Sequence, residues 1–291
     1  MSAPVRIALI QLRTPATQVE AMAEIAPLVR EAAAQGARFV ATPEGSNILQ
    51  RDRAKLFAQM TTPEDDPVVQ GLRALAADLK IEILIGSALV RRVDGQCANR
   101  AILIGPDGDV RAAYDKIHMF DVDLPTGERY RESSSYTPGD TAVIAPAAFG
   151  PLGLTICYDL RFPLLHQALA KAGAIAIAIP AAFTRPTGEA HWETLLRARA
   201  IETGAYVIAP AQGGLHADGR STWGRSLVVE PWGRVIAKLD HDEPGVLFAE
   251  LDPKAVIEAR AAIPALRNGR AFTGPAAAYA AVLEGAAGSP G

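Results

Sequence analysis

Leu152-Gly-Leu-Thr-Ile-Cys157-Tyr-Asp-Leu-Arg-Phe-Pro163 is the stretch on which the fold turns. Residues 152–157 form an apolar run that reads as a strand closing on a cysteine. A tight polar turn follows. Pro163 then suits the first position of a helix, where its fixed φ is already helical and its missing N–H is not needed. Helical patterning runs over 163–171, and a second apolar run occupies 174–179. Strand, thiol-bearing elbow, helix and strand in that order are the signature of an α/β chain.

The same alternation extends outward in both directions. Further apolar runs at 5–12, 38–42, 82–90, 98–104, 143–146, 205–209, 226–229 and 245–251 read as strands. Helical patterns lie at 17–35, 66–79, 189–203 and 253–261, two of them closed one position later by Gly36 and Gly204. The pattern at 189–203 sets Trp192, Leu195, Leu196 and Ala200 on one stripe suited to covering a sheet, with Arg199 intruding and in need of a partner. Pro27 is expected to kink or divide the first helix. Turn residues at 106–109 and 230–234 each separate two strand-like runs, so antiparallel hairpins are inserted among the crossovers and the sheet content is mixed. With no repeat, linker or composition break before the Ala/Gly-rich end, one domain over 1–272 with a tail at 273–291 is expected.

Bulk properties narrow the function classes. The chain has 291 residues, enough to bury a sizeable core, and 29 Lys plus Arg against 32 Asp plus Glu with no block of like charge. A nucleic-acid partner is therefore not expected, and a small-molecule substrate is. Residues 1–13 lack the layout of a signal peptide, and the longest apolar stretch, 172–183, contains Gly173 and Pro180 and is too short to span a bilayer. A soluble, cytoplasmic protein without membrane association is expected. Cys97 and Cys157, 157 − 97 = 60 positions apart and outside any Cys-x-x-Cys or His-x-x-x-His pattern, predict neither a disulfide scaffold nor a metal site.

Three residues with useful chemistry share one placement. Glu44 closes the run from Arg38, Lys116 follows the strand-like 110–115, and Cys157 closes its own strand. Taken singly each is ordinary: a buried small hydrophobe, a loop carboxylate, a surface lysine. Together, at the carboxyl ends of strands where α/β proteins bind ligands, they supply a thiol nucleophile, a base for its proton and a cation for a developing oxyanion. Cys97 lacks any acid or base motif and reads as structural. The five histidines, His118, His166, His191, His216 and His241, are scattered, with His191 expected to pack beside Trp192.

Thr42-Pro-Glu-Gly45, Asp115-Lys-Ile-His-Met-Phe-Asp121, Arg131-Glu132-Ser133, the 153–163 stretch and Ala190-His-Trp-Glu193 together resemble the nitrilase superfamily, in particular its amidase branch of Nit proteins, over roughly residues 5–272. The spacings 157 − 116 = 41 and 132 − 116 = 16 are similar to that branch as well. The resemblance implies a four-layer αββα sandwich of two mixed sheets that pairs with a second subunit through its helical faces. It implies Glu44 as general base, Lys116 as oxyanion stabiliser, Cys157 as nucleophile and Glu132 as a second carboxylate positioning Lys116 and the substrate, with no cofactor. The backbone N–H of Tyr158 is expected to assist at the oxyanion. Arg161-Phe-Pro163, His191-Trp-Glu193 and the 197–203 stretch lean toward the deaminated glutathione amidase and ω-amidase group, whose substrates are amides that carry a carboxylate. Tyr158, Arg161, Phe183 and Thr184 are the expected substrate-binding residues, with Arg185 a further candidate for the carboxylate; Arg161 could instead buttress the elbow through Asp159, and Arg197 and Arg199 could form ion pairs. Rival expectations are an N-carbamoyl amidohydrolase or nitrilase, a Cys–His hydrolase using His118 or His191, and a non-catalytic scaffold on the same fold.

Overall fold

The structure, a computed structural model, describes residues 3–125 and 127–274, so the expected tail lies outside it from 275 onward. The chain opens with β1 (Val5–Gln11), α1 (Gln18–Ala34), β2 (Phe39–Ala41), α2 (Arg53–Gln59), α3 (Pro67–Leu79), β3 (Glu82–Arg91), β4 (Cys97–Ile104) and β5 (Val110–Asp115). A hairpin of β6 (Asp121–Asp123) and β7 (Arg129–Arg131) follows. The second half runs β8 (Val143–Ala147), β9 (Gly150–Leu154), α4 (Pro163–Lys171), β10 (Ala176–Ala178), α5 (Arg185–Thr203) and β11 (Tyr206–Ala209). It closes with the hairpin β12 (Gly213–Leu215) and β13 (Ser221–Trp223), then β14 (Leu227–Val229), β15 (Val235–Lys238), β16 (Gly245–Leu251), α6 (Pro253–Ala262) and α7 (Ala265–Asn268).

Two six-stranded mixed sheets result, ordered β16-β1-β2-β3-β4-β5 and β15-β14-β11-β10-β9-β8. Each has three parallel strands, flanked by one antiparallel strand on one side and an antiparallel pair on the other. The sequence shows no repeat, yet the two sheets repeat one topology. Strand alternation builds the layers: in β1, Ile7 and Leu9 enter the core shared with the second sheet, while Ala8 and Ile10 enter the cluster under α1 and α3. On the far side, Leu165 and Leu169 of α4 and Trp192, Leu196 and Ala200 of α5 cover the second sheet. The architecture is the αββα sandwich.

Local chemistry fixes the element ends. Thr17 caps α1 by accepting from the Glu20 N–H, Asp66 caps α3 from outside Pro67, and Gly204 ends α5 with φ 55°. Arg199 finds its partners in the Leu160 carbonyl and Glu202, both within 2.9 Å. Among the described residues Arg197 makes no ion pair and donates instead to the Gly233 carbonyl at 2.8 Å. Three expectations are corrected. α1 is continuous through Pro27, because Ala23 and Pro27 lie on its exposed face and the carbonyl that the ring leaves unpaired is open to water. α5 starts four residues earlier than periodicity suggests, at Arg185, since Pro186 fits its first turn. The strand before Cys157 ends at Leu154, and the cysteine itself opens a 3₁₀ turn over Cys157–Arg161.

Candidate active site

Glu44 projects from the loop after β2, which the second half of β3 clamps. Thr42 Oγ1 accepts from the Gly86 N–H at 3.2 Å, Ser87 Oγ accepts from the Gly45 N–H at 2.8 Å, and Ser46 Oγ donates to the Pro43 carbonyl at 2.7 Å. A Cβ at Gly86 would lie 1.9 Å from the Thr42 carbonyl oxygen and 2.4 Å from Pro180 Cβ, so only glycine lets the loops after β2 and β10 approach there. Those loops follow the middle parallel strands of the two sheets. They meet where the Ala182 N–H donates to Glu44 Oε2 at 3.0 Å.

Cys157 occupies the left-handed region with φ 49°, a conformation costly for a residue with a Cβ. Asp159, fully buried, holds it there. One carboxylate oxygen accepts from Tyr114 Oη at 2.7 Å and the Ile156 N–H at 2.8 Å; the other accepts from the His118 N–H at 3.0 Å and meets His118 Nδ1 at 2.7 Å. Tyr114 and His118 bracket Lys116 in sequence, so one carboxylate fixes the cysteine elbow and the lysine loop to each other. Arg161 takes no part in this buttress. It approaches His191 Nδ1 at 3.2 Å and lies over the rings of Phe183 and Tyr158, while His191 is exposed rather than packed beside Trp192.

Lys116, 2% exposed, points Nζ between two carboxylates: 2.8 Å to Glu44 Oε1, and 2.9 and 2.8 Å to the two oxygens of Glu132. Glu132 is oriented in turn by the Phe120 N–H at 2.6 Å. Burial works against each charge here, and the charges sustain one another. Burial works to raise the Glu44 carboxyl, yet Lys116, with hydrogen bonds from the Cys157 thiol and Asn99, brings it below the ordinary range. Burial works to lower the lysine, yet Glu132 and Glu44 carry it well above its usual value. The Cys157 thiol is pushed well up by burial and then by Glu44, with Lys116 opposing. The resting site thus favours a protonated thiol beside a carboxylate and an ammonium.

All eight residues singled out from the sequence, Glu44, Lys116, Glu132, Cys157, Tyr158, Arg161, Phe183 and Thr184, line one cavity of about 440 Å³. Arg185 does not; its guanidinium pairs with Asp242 at 3.0 Å. No histidine is among the described residues lining the cavity, and His118 is committed to Asp159 and stacked on Phe162 at 3.6 Å. Cys97 is buried in an apolar cluster with Ile48, Leu56, Met60 and Leu89.

Sequence reasoning missed Asn99 on β4. Its Nδ2 bridges the two carboxylates, 2.9 Å to Glu44 Oε1 and 3.2 Å to Glu132 Oε1. The signal was a polar residue beside Arg100 in the first half of a strand whose other residues are apolar. The Ala182 N–H and Gln212, whose Nε2 donates to the Glu44 carbonyl at 3.0 Å, left no such signal.

The model of the carbon-nitrogen hydrolase family matches residues 6–261. A Synechocystis protein named deaminated glutathione amidase is 37% identical over 269 residues, 91% of this chain and 98% of that protein. The human omega-amidase NIT2 is 36% identical over 265 residues, 91% of this chain and 95% of its own. Among solved structures, a variant of the amidase from Nesterenkonia sp. AN1 superposes with a TM-score of 0.75 at 26% identity, covering 91% of this chain and 94% of that one. It carries the acetamide moiety of fluoroacetamide covalently added at its active-site cysteine.

Proposed function

The chain belongs to the carbon-nitrogen hydrolase family, and from that premise we propose that it hydrolyses a small carboxylate-bearing amide, in the manner of deaminated glutathione amidase or omega-amidase, through a thioester on Cys157. The observation that carries this is Glu44, bound at 2.8 Å to Lys116 Nζ on the wall of the one cavity that Cys157 also lines.

In the proposed cycle Glu44 takes the thiol proton as sulfur attacks the amide carbon. A free cysteine thiol, with a pKa of about 8.5, would seldom be ionised at neutral pH. The carbonyl electrons move onto oxygen, where Lys116 and the Tyr158 N–H stabilise the charge. As the intermediate collapses, the C–N bond breaks and Glu44 returns the proton to the departing nitrogen, leaving the thioester. Water, deprotonated by Glu44, attacks the thioester carbon, and the acid leaves as the thiol reforms. Glu132 serves by holding Lys116, and Arg161, Phe183 and Thr184 contact the substrate.

The test is amine or ammonia release across ω-amides of keto acids, deaminated glutathione, N-carbamoyl amino acids and simple nitriles, with mass spectrometry for an acyl adduct on Cys157. Release from the carboxylate-bearing amides with an adduct is the expected outcome. Release only from the carbamoyl compounds or nitriles would move the substrate class, and neither release nor adduct would leave a scaffold. The same reading takes 1–272 as one domain in a cytoplasmic homodimer formed through helical faces. In support, Leu164 of α4, Ile201 of α5 and Ile257 of α6 leave large apolar side chains exposed on the outer helical layer.

A further inference from the structure

Among the described residues only two carboxylates line the cavity, Glu44 and Glu132, and Lys116 holds both. The rest of its charged wall is cationic: Arg51, Arg53, Arg129, Arg131, Arg161 and Arg220. Such a wall favours an anion, and the question is which guanidinium is built to hold one. Arg129 and Arg131 share Asp123. Arg53 donates to the Ser134 carbonyl and lies over Phe57, Arg161 is laid across Phe183 and Tyr158, and Arg51 is exposed.

Arg220 differs. Its Nε donates to Asp218 at 2.8 Å and its backbone N–H donates to the same side chain at 3.0 Å; that carboxylate is 1% exposed. The turn carrying both joins β12 to β13, and His216, buried in this hairpin, braces it through Thr222 Oγ1 at 2.7 Å. One edge of the guanidinium is therefore fixed, and its terminal nitrogens have no hydrogen bond among the described residues. A pre-set arginine fork loses little freedom when it takes a carboxylate.

Tyr136 stands on the same cavity wall. Its ring packs against the apolar cluster of Ile48, Leu56, Leu89 and Cys97, while its hydroxyl has no partner among the described residues and is not sealed from solvent. Burial, then the Glu132 charge, push its phenol above the ordinary range, so it remains a donor at working pH; the Arg220 charge acts on the same phenol in the opposite sense. Tyr136 and Arg220 thus share the wall of the cavity that the lysine–glutamate cluster lines.

We propose that Arg220 and Tyr136 form an anion subsite that takes the carboxylate of the substrate amide, Arg220 through its free terminal N–H edge and Tyr136 through its hydroxyl, so that the amide carbon is set against Cys157. The subsite rests on the reading of the substrate as a carboxylate-bearing amide. Neither residue was singled out from the sequence.

The experiment compares kcat/KM for an ω-amide ending in a carboxylate with that for a neutral amide of the same length. The wild type prefers the carboxylate. Arg220→Gln lowers that preference about 10- to 100-fold, carried by KM, and Tyr136→Phe lowers it about 3- to 10-fold, as expected for losing a charge-assisted and a single hydrogen bond. Tyr136→Phe removes one atom from a packed ring and decides the matter should Arg220→Gln not fold. A preference that survives in the variants, or falls in Arg161→Gln instead, overturns the subsite while leaving the amidase reading intact. A wild type that cleaves both amides equally well removes the carboxylate reading and the subsite with it.

Discussion

Lys116 is a buried cation that two carboxylates keep charged, and it in turn helps to keep Glu44 ionised. Lys116→Ala should cost about a hundredfold or more in kcat/KM, because it removes the proposed oxyanion donor and leaves two carboxylates facing each other. A stable variant with near-normal turnover would take Lys116 out of the mechanism. Asn99 acts through Glu44 and is a positioning residue. The Glu44 carboxyl is already below its ordinary range, in part through the Asn99 hydrogen bond, and in the proposed cycle its ionised form is the base. Removing the donor in Asn99→Ala lets that pKa rise, so the acid limb of the kcat/KM profile should move to higher pH. A lower rate with an unmoved limb would mean that Asn99 matters only for packing. Glu44, Lys116 and Cys157 were legible as residues because each ends a strand-like run. Asn99 was not, since its meaning depends on two glutamates 55 and 33 positions away.

At the scale of elements, the cysteine elbow is held in a costly conformation by the buried carboxylate of Asp159 together with the Cys157 N–H bond to the Pro180 carbonyl at 2.9 Å. Asp159→Asn would set an amide N–H₂ against donors that now face acceptor oxygens, at a cost of about 2–4 kcal/mol for a broken buried network. We expect a lower thermal midpoint together with a fall in kcat and slower alkylation of Cys157 by a small electrophile. An unchanged kcat in a destabilised variant would show that the elbow keeps its geometry without Asp159. The elements themselves were largely readable. Apolar runs and capping residues are local, and Thr17, Asp66 and Gly204 do what their types predict. The misreadings came where context overrode local preference: Pro27 tolerated on an exposed face, and Cys157 opening a 3₁₀ turn instead of closing a strand.

For the whole molecule, the helical layers over the second sheet leave Leu164 79% and Ile201 57% exposed. In the proposed dimer they are covered. The paired substitution Leu164→Glu with Ile201→Glu should give a monomer in sedimentation velocity at micromolar concentration, against a dimeric wild type. A wild type that sediments as a monomer at tens of micromolar would end that proposal.

The sequence alone determined the order of strands and helices, the α/β class and the trio at strand ends, because apolar period, turn chemistry and capping act over a few residues and are written where they act. Its motifs added Glu132 and the four-layer fold by resemblance. Only the tertiary structure decided that two sheets share one topology, that Ala182, 138 positions away, reaches Glu44, and that Tyr136 and Arg220 share the cavity wall. Burial and contact between distant segments create those relations, and no local pattern encodes a partner's position across a packed core.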